Sequence, residues 1–129
     1  MKRRQKGIIG GVLAVVLLLT VSVGVYAAGV GCNESYVLRQ LSNVPDSSWV
    51  KQVVYVFTTN STTVTATCTQ DTTSGASVAV GFSDGAAFLN QKGTSYSKTV
   101  PVGVQIAVVV TLSTPDNYNT YTGYGTIKN

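Results

Sequence analysis

Residues 104–112 read VQIAVVVTL and are apolar at most positions. Successive side chains of a β-strand point to opposite faces, so this stretch would present an apolar row on each side of a sheet. We therefore predict a central strand that is covered on both sides, or one whose second side meets a neighbouring subunit.

Other segments of the chain also have the composition or alternation of β-strands. Residues 49–58, WVKQVVYVFT, are rich in β-branched and aromatic side chains, and residues 62–70 alternate, with Val64, Ala66 and Cys68 on one face. Residues 35–48, SYVLRQLSNVPDSS, are ambiguous, because Val37, Leu38 and Leu41 have helical spacing. Turn residues separate the further predicted strands: Ser77–Phe82, Ala86–Leu89, Thr94–Val100, Val104–Ser113 and a last one within Tyr118–Ile127.

About seven short strands at this spacing predict an Ig-like antiparallel β-sandwich over residues 32–129.

The distribution of charged residues limits which partners this domain could bind. Four of the nine basic residues lie before residue 7, and the other five balance the five acidic ones, so the domain is neutral. A nucleic-acid partner is therefore not expected.

Charged residues make up 11% of the chain, whereas about a quarter is usual for soluble proteins. Residues 58–77, TTNSTTVTATCTQDTTSGAS, show that hydroxyl and amide side chains take their place. Such a surface suits an exported protein, in which hydroxyls and glycans solvate the surface. Glycosylation sequons begin at Asn33 and Asn60, and Asn60 lies in a predicted hairpin turn.

Residue types that carry catalysis are scarce. The chain has no histidine, which excludes Ser-His-Asp and Cys-His chemistry and removes the commonest zinc ligand. Four of the five carboxylates lie in predicted turns or breaks, where aspartate is a turn former. We expect no enzyme activity, no cofactor and no metal site.

Two further groups of residues in the domain could form a disulfide or a contact surface. Cys32 and Cys68 are the two cysteines, and in an exported protein an even count predicts a disulfide between them. Tyr118, Tyr121 and Tyr124 recur near the C-terminus, where their rings would suit subunit contact or carbohydrate stacking.

The N-terminal 31 residues differ in kind from the domain. Residues 1–7 form a basic head, and residues 8–31 are uncharged and mainly apolar. A helix from Ile8 to Ala28 would be about 30 Å long, enough to span a bilayer, and the positive-inside rule would leave the domain outside. The predicted fold class is thus α+β, mainly β. Small or apolar residues predicted to pack between copies of this helix are Gly10, Gly11, Ala14, Val15 and Leu18.

The stretch Arg4-Gln5-Lys6-Gly7-Ile8 places a basic residue and a glycine just before the apolar run. It resembles the class III leader of archaeal type IV pilins over residues 4 to about 30. The resemblance implies cleavage between Gly7 and Ile8, retention of the helix, and a homopolymer with helices in its core. The acidic fifth residue of bacterial pilins is missing, since Val12 stands there.

Two other fates of this segment stay open. Small residues at Val25 and Ala27 would suit cleavage before Ala28, which would release a secreted binding domain. An uncut segment would make a single-pass envelope or virion structural protein. The function we expect is an extracellular filament subunit that is inserted in the membrane before it assembles with copies of itself, with adhesion to surface glycans or host cells.

N-terminal sequencing of the mature protein separates these fates. We predict Ile8 as the first residue, because the basic-Gly-apolar pattern precedes the whole apolar run. A mature protein that begins at Ala28 would establish secretion, and one that begins at Met1 would establish an anchor.

Overall fold

A computed structural model of the chain describes residues 22–25, 31–43 and 50–129. These residues form nine β-strands in two sheets. The strands are β1 (Ser22–Val25), β2 (Asn33–Gln40), β3 (Val50–Thr58), β4 (Thr63–Gln70), β5 (Ser77–Phe82), β6 (Gly85–Phe88), β7 (Ser95–Thr99), β8 (Gln105–Ser113) and β9 (Tyr121–Lys128).

The predicted α+β class is wrong for the described residues, which are all-β. Four residues of the predicted helix, Ser22–Val25, form β1, which pairs in parallel with Val53–Val56 of β3. Valine is β-branched and glycine is a poor helix former, so this stretch suits a strand on the open edge of β3. Residues 8–21 and 26–30 lie outside the described residues. No described helix is long and apolar enough to cross a membrane.

The two sheets have the orders β1-β3-β8-β5-β6 and β2-β9-β4-β7. Four antiparallel pairs are nested within one another: β2 with β9, β3 with β8, β4 with β7, and β5 with β6. The chain therefore has the pairing of one long hairpin, folded so that successive strand pairs alternate between the two sheets. This is the arrangement of an eight-stranded jelly roll, with β1 added at an edge. The sandwich is thus a jelly roll with nine described strands, where an Ig-like sandwich of about seven strands was predicted.

Strand positions follow the sequence pattern closely, with one exception. The ambiguous stretch contains β2, in which Tyr36, Leu38 and Gln40 are buried and alternate with exposed residues. Val37 and Leu41 are 58% and 50% exposed, so the helical spacing of apolar residues there is coincidental. The third inward residue is Gln40, which is polar although it is buried. The alternation of apolar and polar residues in this strand is therefore not visible in the sequence.

The core lies between the sheets and is formed by the inward side chains of both. Strand β8 is central, with β3 on one side and β5 on the other, as its two apolar rows predicted. Its inward row consists of Ile106, Val108, Val110 and Leu112, all at most 8% exposed. Phe82 of β5 and Tyr96 of β7 meet with ring centroids 5.6 Å apart and close one side of the sandwich.

Two glycines of β9 make room for neighbouring side chains, Gly123 for one from the opposite sheet and Gly125 for one from the adjacent strand β2. A Cβ at Gly123 would lie 2.3 Å from Cγ2 of Val78 on the opposite sheet, and one at Gly125 would lie 2.2 Å from Cζ of Tyr36. Such distances are far inside van der Waals contact, so any larger residue would force the neighbouring side chains or the sheets apart.

The contact at Gly123 can be tested with a double-mutant cycle. Gly123→Ala should destabilise the domain by about 1–3 kcal/mol through overpacking. Val78→Ala should cost roughly 2 kcal/mol through a cavity. Removing Cγ2 of Val78 makes room for the new methyl group, so the double variant should lose less stability than the two single losses together.

Denaturant unfolding measures each variant of this cycle. Gly85→Ala is the matched control, because a Cβ there meets nothing within 4 Å, and it should stay within about 0.5 kcal/mol of the parent. Strictly additive losses in the double variant would show that Val78 and Gly123 are not in contact.

Candidate functional site

The outer face of the five-stranded sheet is the most distinctive surface of the domain. Strands β3 and β8 pair over nine residues each, Val50–Thr58 with Gln105–Ser113, so outward residues of both lie side by side. We call this surface the valine face. It comprises Val54, Val56, Ala79, Phe88, Ala107 and Val109.

No charged side chain lies among the described outward residues of the strands that form the valine face. Its ends are marked by uncharged polar pairs: Gln52 donates from Nε2 to Oγ1 of Thr111 at 3.4 Å, and Thr58 pairs in register with Gln105. The face is thus an apolar band between two polar rows. Such a band has nothing to hold water strongly, and water is readily displaced from it.

Burial varies across the valine face. Val54, Val56 and Ala107 form an apolar cluster separate from the core and are only 0%, 6% and 5% exposed. Val109 packs against that cluster and is partly buried. At the far edge of the same face, Phe88 is 73% exposed. The β3–β8 half of this surface is therefore covered, and the β6 edge is open.

The outer face of the four-stranded sheet has the opposite chemistry. Threonines and serines line it, and Thr65 and Ser97 are joined by a hydroxyl hydrogen bond of 2.9 Å between cross-strand partners. Charged side chains also occur there, and Arg39 hydrogen-bonds Tyr124 and so lowers the pKa of that phenol. We call this surface the threonine face. It comprises Thr63, Thr65, Thr67, Thr99, Thr122 and Thr126.

The predicted disulfide is wrong, because Cys32 and Cys68 are free thiols, both buried. Strand β9 lies between their strands: Cys68 pairs with Gly125, and the carbonyl of Cys32 accepts from the amide of Asn129 at 2.7 Å. Four residues of strand separate these positions by about 13 Å, beyond the reach of a disulfide. An even cysteine count carries no information on strand order.

Burial keeps both thiols protonated. Desolvation, with a smaller contribution from the Glu34 carboxylate, raises the pKa of Cys32 to about 11. Burial also raises the pKa of Cys68, whose sulfur donates to the carbonyl of Gln70 at 3.0 Å. The thiolate is the reactive form, so neither thiol is a nucleophile in the folded protein.

The other predicted site residues lie apart from one another. Asn33 and Asn60 are both exposed, so both sequons are accessible to glycosylation. Tyr118 is 74% exposed, whereas Tyr121 is buried in the core and Tyr124 lies on the threonine face. The three tyrosines therefore form no common surface. The predicted processing and packing residues lie outside the described residues: Gly7, Ile8, Gly10, Gly11, Ala14, Val15, Leu18, Ala27 and Ala28.

Carboxylates serve local structure where they are described. Asp116 accepts from the amides of Tyr118 and Asn119 at 3.0 and 3.3 Å and from the Tyr121 hydroxyl at 3.1 Å. Desolvation raises the pKa of Asp116, but these hydrogen bonds outweigh it and hold the pKa below its usual value. Within residues 31–43 and 50–129, no three Cys, Asp or Glu side chains meet in a way that could hold a metal ion.

Comparison with known proteins adds no family. No protein-family model matches the chain, and no curated protein and no solved structure matches it either. The valine face therefore has to be interpreted from its own geometry.

Sequence reasoning found half of the valine face and missed the rest. The second apolar row of residues 104–112 pointed to cover on both sides of β8. Val54 and Val56 lie in the equally continuous apolar run of β3, which carried the same signal. No sequence signal indicated that Phe88 is exposed, because its exposure depends on the position of β6 at the sheet edge.

The thiol states can be checked on the unreduced protein. Both cysteines should react with iodoacetamide after unfolding in denaturant without reductant, and mass spectrometry should show two labels on the chain. In the folded protein at neutral pH both should stay unlabelled, because burial raises both thiol pKa values. A reductant should leave the melting temperature unchanged. A chain that takes up no label until it is reduced would contain the disulfide.

Proposed function

We propose that this protein is a non-enzymatic structural subunit that assembles with copies of itself outside a membrane. The observation that carries the proposal is the valine face, an uncharged apolar surface that ends in an exposed phenylalanine. Phe88 is the exposed part of this surface, and aromatic anchors in apolar surroundings supply much of the energy of protein contacts.

The two outer faces support an assembly with a defined polarity. The valine face can be buried against another subunit without desolvating a charge, because none is present on it. The threonine face keeps its hydroxyl groups, Arg39 and Lys128 in water. Subunits that associate through one face would therefore display the other as the outside of the assembly, together with the exposed sequon asparagines.

An extracellular filament is the form of assembly that the leader favours. The pattern Lys6-Gly7-Ile8 resembles a pilin processing site, at which cleavage would keep the apolar segment on the mature subunit. Strand β1 gives a reason for such retention: cleavage before Ala28 would remove Ser22–Val25 from the edge of β3. This argues against the secreted form. The proposed filament holds together through sheet faces and does not depend on a helical core.

A second candidate is a single-pass envelope or virion structural protein. The jelly-roll strand order favours it, because capsid domains share this architecture. In that case the same valine face would join subunits in a shell, and the apolar segment would stay in lipid. A mature N-terminus at Met1, together with closed particles in place of filaments, would select this candidate.

Substitution of the exposed anchor tests the proposed contact. Phe88→Lys should weaken self-association by about 2 kcal/mol, roughly 30-fold, because it removes an aromatic contact and places a charge in an apolar interface. The fold should be unaffected, since Phe88 is 73% exposed. Analytical ultracentrifugation measures the association, and the melting temperature checks the fold.

Tyr118→Lys is the matched control, because Tyr118 is an aromatic residue of nearly equal exposure, 74%, on the loop between β8 and β9 and not on the valine face. It should assemble like the parent chain. Unchanged assembly of Phe88→Lys would remove the valine face as the contact. Loss of assembly in Tyr118→Lys alone would place the contact on the loop between β8 and β9.

A further inference from the structure

Strand β1 lies at an edge of the five-stranded sheet and runs parallel to β3, whereas all other described strand pairs are antiparallel. Its four residues, Ser22–Val25, pair with Val53–Val56 in the middle of a strand of nine. A parallel ladder is slightly less stable per residue than an antiparallel one. Strand β1 is therefore attached to the domain by one short ladder of the weaker kind.

Without β1, strand β3 would be an unprotected edge. Residues 53–56 read VVYV, with neither a charge nor a proline, and a strand of this kind at a sheet edge readily pairs with another chain. The other described edges differ, because β6 has four residues, β7 carries Lys98, and β2 carries Glu34 and Arg39. The backbone of β3 at residues 53–56 is thus a site that accepts a strand, and β1 shows which sequence it accepts.

The connection after β1 is longer than its present span requires. Val25 lies opposite Val56, and the amide of Gly31 donates to the carbonyl of Thr58 at 3.1 Å. The two ends of the connection therefore lie two positions apart on β3, about 7 Å along the strand. Six residue steps can extend over about 20 Å. A subunit can thus keep Gly31 in place and still deliver Ser22–Val25 to the β3 edge of an adjoining subunit.

We propose that, in the assembly, each subunit places its strand Ser22–Val25 on the β3 edge of the next copy of this chain. The strand pairing made within the isolated subunit is made again between subunits, so the exchange sacrifices none of it. The valine-face contact, which exists only between subunits, then favours the exchanged form. The inference thus rests on the proposed function and names the element that each subunit gives to the next.

Exchange of β1 makes the assembly directional. The donated strand and the accepting edge of β3 are different surfaces, so the contact between two subunits is heterologous. Heterologous contacts generate closed rings or open filaments, whereas a surface that meets its own copy generates a two-fold dimer. Strand exchange therefore supplies the head-to-tail contact that a filament requires, and main-chain hydrogen bonds of the added strand supply its affinity.

Disulfide cross-linking between two different single variants of the full chain tests the exchange. Ser22→Cys and Val53→Cys alter residues that are paired in register, where the Cα atoms of neighbouring strands lie within disulfide range. The two variants are mixed in equal amounts in reductant, allowed to assemble, and oxidised with copper phenanthroline. Neither chain carries both substitutions, so a bond between these positions joins two chains. The native thiols are buried and do not take part.

Mass spectrometry of the assembled mixture should show this bond in about half of the Val53→Cys chains, because random mixing gives half of them a Ser22→Cys neighbour. Thr99→Cys, an exposed position on the edge strand β7 of the other sheet, replaces Val53→Cys in the matched control. It should give almost no bond with Ser22→Cys. Equal yields with Thr99→Cys and Val53→Cys would show random collision and would overturn the exchange.

A double variant with both Ser22→Cys and Val53→Cys separates the remaining outcomes. Assembly in which the bond forms only within this double variant, and never between the single variants, would overturn the exchange and leave the proposed assembly standing. A double variant that forms no bond at all would overturn the β1–β3 pairing and the exchange with it. Absence of assembly in ultracentrifugation would overturn the proposed function together with the exchange.

Discussion

The pairing of β3 with β8 is the interaction on which the rest of the structure depends. Nine residues of each strand pair in register, and both strands are apolar on both faces. The inward rows, which include Tyr55, Phe57 and Val108, form part of the core between the sheets. The outward rows, which include Val54 and Val56, form a second apolar cluster that the sandwich alone does not cover. A strand pair of this kind needs cover on two sides, and the fold supplies only one.

The jelly roll explains how a small domain accommodates such a pair. Nested hairpin pairing puts β3 and β8 in the same sheet although about 50 residues separate them, and places β8 between β3 and β5. The short edge strand β6 and the lysine-bearing β7 close one side of the sandwich through the Asp84–Lys98 ion pair. Short or charged edges discourage uncontrolled strand addition. Strand-to-strand pairing with another chain is therefore disfavoured at these two edges.

Local features of this fold could be predicted from sequence, and long-range features could not. The alternation of apolar residues in β4 and the turns around Asp84 and Asp116 are encoded within a few residues, and so were predicted. Partner choice among strands is not local, so the nested pairing of the jelly roll could not be predicted and only an Ig-like sandwich was expected. The same limit led to the predicted disulfide, since β9 separates Cys32 from Cys68. Hydropathy alone favoured a helix through Ser22–Val25, where the open edge of β3 provides partners for a strand.

The candidate site was predicted in part, for the same reason. The two apolar rows of β8 predicted a central strand covered on both sides, or one whose second side meets a neighbouring subunit, and the outward row lies on the valine face. The exposure of Phe88 could not be predicted, because it follows from the position of β6 at the sheet edge. Conversely, the repeated tyrosines near the C-terminus suggested one surface, but the strand alternation of β9 divides Tyr121 and Tyr124 between core and exterior.

Hydroxyl-radical footprinting of the full chain, before and after assembly, tests whether the valine face joins the subunits. Aromatic side chains are oxidised in proportion to their exposure, and Phe88 and Tyr118 begin at almost the same value, 73% and 74%. Assembly should strongly protect Phe88 and leave Tyr118 as reactive as before. Equal oxidation of Phe88 in both states would contradict the claim that the valine face joins the subunits.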